Sequence, residues 1–295
     1  RTCVIDRQTF VWRNAAGALA LTVLTLTSGC VLGNRPTFVH GGTNAGQMTY
    51  YLDGAGNFGF GKETVPLGLV DGGYDGRIEH FIWTTYLGPL VDQMSTTVAG
   101  WRGRQLANEI KAYIDKHPGA DVNIIGLSAG SGVAVFALEK LPTRYQVNNV
   151  IMLSSSLSAD YDLSRALRRV QGGMYFFWST NDPILNNFVP YVGTIDGKYT
   201  SQVAGITGAK PPPAMDRDGR ALYAERVHNI RWYTNEIGGT IKLRHAGTTD
   251  RTFVRDMVAP ILVRSAHRSA ATASPRPDTP SVTAAPPATR PSRVP

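Results

Sequence analysis

Asp121-Val122-Asn123-Ile124-Ile125-Gly126-Leu127-Ser128-Ala129-Gly130-Ser131-Gly132 is the stretch on which the reading of this chain turns. Its first half is a short, largely apolar run of the length of a buried strand. Its second half is built of small residues, and 131–141 continues as a segment apolar on all sides, as a helix lying on a sheet requires. Between them, Gly126-Leu127-Ser128-Ala129-Gly130 allows a strand-to-helix turn so tight that larger flanking side chains would collide with both elements. A serine at the tip of such a turn stands free to attack a carbonyl carbon. The pentapeptide alone is weak evidence, because a chain with 31 glycines meets it by chance, and a glycine-rich turn without chemistry is the alternative. The order of elements around it carries the reading.

Outward from that turn, apolar strand-like runs alternate with segments of helical period, the pattern of a mostly parallel sheet covered on both faces. Strands are expected at 47–52, 77–83, 121–126, 150–153 and 174–178, with a sixth between 227 and 233. Val98, Trp101, Leu106, Ile110, Tyr113 and Ile114 form one helical face, which His117-Pro118-Gly119 ends. Asp162 can cap a helix at 163–170. Asp250 can cap a final one carrying Phe253, Val254, Met257, Val258, Ile261 and Leu262. The segment 184–225, rich in Gly and Pro, reads as a short irregular cap over the sheet edge. Its Phe188, Tyr191 and Tyr199 would suit an apolar acyl pocket or plain core.

A serine hydroxyl needs a base, and the base a carboxylate to orient it. Asp182 follows an aromatic strand on the polar turn Ser179-Thr180-Asn181-Asp182-Pro183, two strands after the serine turn. Asp160 and Asp196 are the other candidate acids, and a turn-forming Asp-Pro is the structural alternative. Of the six histidines, His228, His245 and His267 come after the acid. His267 lies in the C-terminal tail and His228 opens a strand. His245, just before the final helix, is the favoured base, with His228 kept open. For the oxyanion, Ala129 at the helix N-terminus offers one N–H. The turn Asp53-Gly54-Ala55-Gly56 should offer a second, from Gly54 or Ala55. His40-Gly41-Gly42 comes too early in the chain for that part.

The strand–Gly-Leu-Ser-Ala-Gly–helix, the Ser-Thr-Asn-Asp turn and the late histidine resemble the α/β-hydrolase superfamily over roughly 45–264. More narrowly, VNNVIMLSSSLSADYDLSRALRRV and YVGTIDG are similar to a group of α/β-hydrolase-like proteins of planctomycete bacteria. The resemblance implies acyl transfer through an acyl-serine without a cofactor. The expected activity is that of an esterase, lipase or thioesterase on a small-molecule or lipid acyl ester.

The ends of the chain read differently. Arg1, Arg7 and Arg13 precede an apolar segment at 15–26, then Thr27-Ser28-Gly29-Cys30. This is a secretory signal in form, too short for a comfortable span, and Gly-Cys resembles a bacterial lipoprotein junction. At its third position before the cysteine, however, stands Thr27 where Leu is usual. Domains are therefore expected as a signal at 1–30, a folded unit at 31–264 and a Pro/Ala/Ser/Thr/Arg-rich disordered tail at 265–295. Lipidated Cys30 would anchor the protein at the periplasmic face of a bacterial membrane; an ordinary signal cut nearby is the alternative.

Composition narrows the classes. Of the net charge of +8, residues 1–30 carry +2 and 264–295 carry +4, which leaves +2 for the folded part. No basic run interleaved with aromatics is present, so nucleic acid is not an expected partner. Cys3 and Cys30 are the only cysteines, too few for a thiolate zinc site, and no His/carboxylate cluster has ligand spacing, so no metal is expected. From a different class, a non-catalytic envelope protein could use the same fold as a binding scaffold.

Overall fold

The computed structural model describes residues 38–40, 42, 44–85, 87–232 and 245–264, with backbone alone at 38–40. The expected signal at 1–30, Cys30, His267 and the tail at 265–295 lie outside them. Seven strands form one sheet: β1 (Phe38–His40), β2 (Asn44–Leu52), β3 (Gly76–His80), β4 (Asp121–Leu127), β5 (Val150–Leu153), β6 (Met174–Trp178) and β7 (Val227–Arg231). Their order is β1-β3-β2-β4-β5-β6-β7. Only β1, which pairs with β3 at the edge, is antiparallel; the other six strands run parallel.

Both faces are buried, which is why the central strands show unbroken apolar runs rather than alternation. Consecutive residues divide between two cores. Ile124, Met152 and Phe176 face one layer with Leu106, Ile110, Val133 and Leu167. Ile125, Leu153 and Phe177 face the other with Val65, Leu69, Val254, Val258 and Leu262. The first layer is covered by the long helix Thr96–Lys116 and the helix Ala129–Lys140. The second is covered by the helix Thr64–Asp71 and the C-terminal helix that starts at Arg251, whose Val254–Val258 turn is π-wound. Asp250 caps that last helix, as its sequence position suggested, by accepting from the N–H groups of Thr252 and Phe253. Among the described residues no helix is long and apolar enough to cross a membrane.

Two side-chain amides cross the middle of the sheet near the start of its strands. Buried Asn123 Oδ1 accepts the Asn149 N–H at 3.1 Å, and Asn149 Oδ1 accepts the Gly173 N–H at 3.1 Å. They join β4, β5 and the segment entering β6.

The segment 184–225 is more ordered than its Gly and Pro content suggests. It holds the short helices Pro183–Asn187, Val189–Val192 and Ala204–Thr207, then Arg217–Arg226. The short ones are started by local devices invisible to periodicity, a proline at the first turn for two of them. For the same reason the helix Pro89–Met94, only six residues long, escapes a reading by period.

Candidate active site

Ser128 sits between β4 and the helix starting at Ala129, at φ 50° and ψ −119°, a conformation that a residue with a Cβ adopts only under constraint. The constraint is visible. Its N–H donates to the Leu153 carbonyl at 2.9 Å, and its own carbonyl accepts from the Ser156 N–H and the Ser131 hydroxyl. The two glycines of the pentapeptide have the steric role expected of them. A Cβ on Gly126 would lie 2.7 Å from Ser131 Cα, and one on Gly130 only 2.5 Å from the Asp53 carbonyl oxygen. Neither neighbour is a side chain that could turn aside.

The serines after β5 complete the brace. Ser131 and Ser155 hydroxyls meet at 2.6 Å, and Ser155 Oγ accepts the Leu157 N–H. These hydroxyls are buried and hydrogen-bonded, so they brace the turn without leaving a buried polar atom unpaired. The sequence displayed them only as the end of a strand.

Asp182 is almost wholly buried, and its two oxygens do different work. Oδ1 accepts the N–H groups of Ile184 and Leu185, both at 3.0 Å, and so caps the helix Pro183–Asn187. Oδ2 lies 2.6 Å from Nδ1 of His245. Asp182 thus makes the turn expected of an Asp-Pro and also stands where an acid that orients a histidine would stand. Asp160 instead pairs with Lys198 at the surface, and Asp196 accepts from the Ser158 N–H and hydroxyl. His228 stacks on Tyr175 in β7 with ring centroids 4.6 Å apart, exposed and away from the acid. Of the candidate acids and bases, the structure brings Asp182 and His245 together.

Ser128 and His245 line the same pocket, of about 440 Å³. Among the described residues the Ser128 hydroxyl makes no hydrogen bond, with the His245 ring or with any other group. The rest of the lining is Gly54, Ala55, Phe58, Phe60, Pro89, Leu90, Leu127, Ile184, Phe188, Val189 and Val192, with Gln93 the remaining polar side chain.

The turn after β2 needs one correction. Gly54, expected as a possible oxyanion donor, already gives its N–H to Asp53 Oδ1 at 2.8 Å. A short acidic side chain one residue back captures the nearest amide, a local bond that spacing does not reveal. Ala55 is left: among the described residues no acceptor takes its N–H, nor that of Ala129. A Cβ on Gly54 would meet Ser128 Cβ at 3.4 Å, an ordinary contact.

Two buried carboxylates hold this turn, and sequence reasoning assigned neither. Asp53 accepts from Gly54, from the Gly59 N–H at 2.7 Å and from the Tyr51 hydroxyl. Burial pushes its carboxyl above the usual carboxylate range, outweighing the donors that favour the charged form. Asp92, in the helix Pro89–Met94, accepts the Gly56 N–H at 3.0 Å and both the N–H and hydroxyl of Thr85. Its neighbour Gln93 donates to the Gly193 carbonyl at 3.0 Å and accepts from Ser156, joining that helix to the serine brace. The only advance signal was a polar pair inside a short apolar segment. Among the described residues, no three His, Cys, Asp or Glu side chains gather as a metal ion would need.

Six parallel strands, a strained serine between the central strand and its helix, and an Asp and a His that meet from later in the chain make this an α/β-hydrolase fold. No family model matches the chain, and no curated protein does. Solved structures do. One is a cutinase-like protein from Cryptococcus sp., at TM-score 0.43 and 14% identity, over 74% of this chain and 94% of that one. Another is the esterase domain of a Rhodothermus marinus protein, at TM-score 0.44 and 11% identity, over 78% of this chain and 98% of that one. A Pyrococcus furiosus esterase gives TM-score 0.44 and 11% identity, over 75% of this chain and 82% of that one. At this level of likeness their activities remain theirs.

Proposed function

We propose that the protein is a serine hydrolase that cleaves acyl esters through an acyl-serine intermediate. The observation that carries this reading is the short Asp182–His245 contact beside a pocket shared with the strained Ser128. In the proposed cycle, Ser128 Oγ attacks the ester carbonyl and His245 takes its proton. The anionic Asp182 favours the imidazolium so formed, and the Ala55 and Ala129 N–H groups hold the oxyanion. His245 then returns the proton to the departing alkoxide, and water repeats the sequence to release the acid. No cofactor enters the scheme. The almost wholly apolar lining supports an ester with a hydrocarbon acyl chain.

A series of p-nitrophenyl esters of increasing acyl length tests the proposal. Each methylene that enters the pocket should raise kcat/KM by up to about fourfold, the factor set by about 0.8 kcal/mol per buried CH₂, until the pocket is full. Ser128→Ala should lose both turnover and labelling by a fluorophosphonate. A folded protein that labels equally well with and without the serine hydroxyl would leave the fold as a binding scaffold.

We also propose export and anchoring through acylated Cys30, resting on the basic, apolar and small-residue order of 1–30. The narrower resemblance to planctomycete proteins agrees with a bacterial envelope. Mass spectrometry of protein purified from membranes should find Cys30 acylated at the N-terminus. An unmodified Cys30 there would remove the anchor.

A further inference from the structure

Eight large apolar side chains among the described residues are at least half exposed, and six of them, Phe58, Leu87, Leu90, Met94, Phe188 and Tyr191, lie on three short segments that also contribute to the pocket lining. Each is 50 to 80% exposed. The segments are neighbours in space. A Cβ on Gly56 would touch both Phe58 and Pro89, and Gln93 reaches the Gly193 carbonyl beyond the helix Val189–Val192. Phe58, Leu90 and Phe188 also line the pocket, so exposed apolar side chains lead from solvent into the pocket that holds Ser128. Among the described residues these segments carry little charge: 54–61 and 183–195 contain none, within 87–95 the lone Asp92 is fully buried, and Lys62 and Glu63 follow at one edge. Scattered apolar side chains on a surface need no explanation, but a contiguous set around a reactive site does.

We propose that this rim seats the protein on an aggregated, uncharged acyl ester, a droplet or film from which substrate enters the pocket without crossing water. This rests on the serine-hydrolase reading above. Two observations choose this occupant over another protein. A macromolecular partner on the rim would close the mouth that substrate must use, whereas an aggregate of substrate supplies it. The scarcity of charge on the described segments also fits a neutral ester surface better than an anionic bilayer, which would favour a cluster of exposed Lys or Arg.

The test uses the full chain carrying Cys30→Ser, so that no attached lipid contributes, and a triple variant Leu87→Ser, Met94→Ser, Tyr191→Ser, none of which lines the pocket. With tributyrin as substrate, both proteins should hydrolyse dissolved ester at rates within about twofold, since the pocket is unchanged. On dispersed droplets the variant should be slower by roughly tenfold or more, because three apolar contacts with the aggregate are gone. In the Ser128→Ala background, flotation with tributyrin droplets should likewise fall with the rim substitutions. Equal droplet rates, or equal flotation, would overturn the proposal. So would a dimer of the parent protein that the triple variant dissolves, because the rim would then be covered by a second copy. Failure of Ser128 labelling would overturn the hydrolase reading while leaving flotation to report on the rim.

Discussion

Ser128→Gly should abolish hydrolysis and make the protein more stable. A residue with a Cβ held at φ 50° and ψ −119° stores on the order of 1–3 kcal/mol, and glycine would release it. Against that stands the larger entropy glycine loses on folding, about 0.5–1 kcal/mol. Among the described residues the Ser128 hydroxyl donates no hydrogen bond whose loss would enter the balance. The net gain is about 1 kcal/mol, or a rise of roughly 2–4 °C in Tm for a folded unit of this size. Turnover should fall by about 10⁶, the scale on which a serine nucleophile's removal is felt. Ser128→Ala is the control: it loses the same activity, but its Cβ keeps the strain, so Tm should stay near the parent's. Thermal denaturation of the three proteins decides it. If glycine and alanine shift Tm alike, the turn is relaxed and the constraint described above is not a store of energy.

Asp182→Asn should lower kcat by about 10⁴ with little change in KM. Asparagine caps a helix about as well as aspartate, so the bonds to Ile184 and Leu185 should survive, and stability with them. What is lost is the negative charge beside His245 Nδ1 and the tautomer it imposes. An amide that donates to Nδ1 leaves the proton on Nε2, where it cannot accept from serine. Asp182→Ala removes the cap as well and should cost about a further 1 kcal/mol of stability. Steady-state kinetics with denaturant melts separate the two roles. Asp160→Asn should leave kcat unchanged, since that carboxylate is occupied by Lys198 at the surface. A kcat for Asp182→Asn within tenfold of the parent would remove Asp182 from the mechanism.

The central strands of the sheet were legible because strands buried on both faces are apolar runs separated by helices. The ends of the strands at 150–153 and 174–178 fall where sequence places them. The edge strand Phe38–His40 was not, for three residues pairing antiparallel at a rim leave no periodic trace. Thr64–Asp71 was missed because Pro66 and Gly68 argue against a helix, whereas the proline sits in the first turn and Gly68 admits the Val254 side chain and the Arg251 carbonyl. At the site, Ser128, Asp182 and His245 could be singled out because chemistry demands their types in that chain order. Asp53, Asp92, Gln93 and Ser155 could not. Their work is to hold backbone amides and one another: Asp53 closes a loop on amides one and six residues on, which no period reveals, and the partners of the other three that lie 24 to 100 residues away are set by the fold alone.

The paired amides Asn123 and Asn149 have a consequence for where the reactive groups end up. A strand such as Val-Ile-Met-Leu is apolar at every position, so sliding it along its neighbours would bury much the same surface, and hydrophobicity alone gives no preferred alignment. The two amides supply a gauge mark. Any slip of β5 would separate Asn149 from Asn123 or from Gly173, leaving amides without partners in a dry interior at a cost of several kcal/mol. Since β4 leads to Ser128 and β6 to Asp182, an alignment fixed at the foot of the sheet sets the height at which serine and acid arrive at its crest.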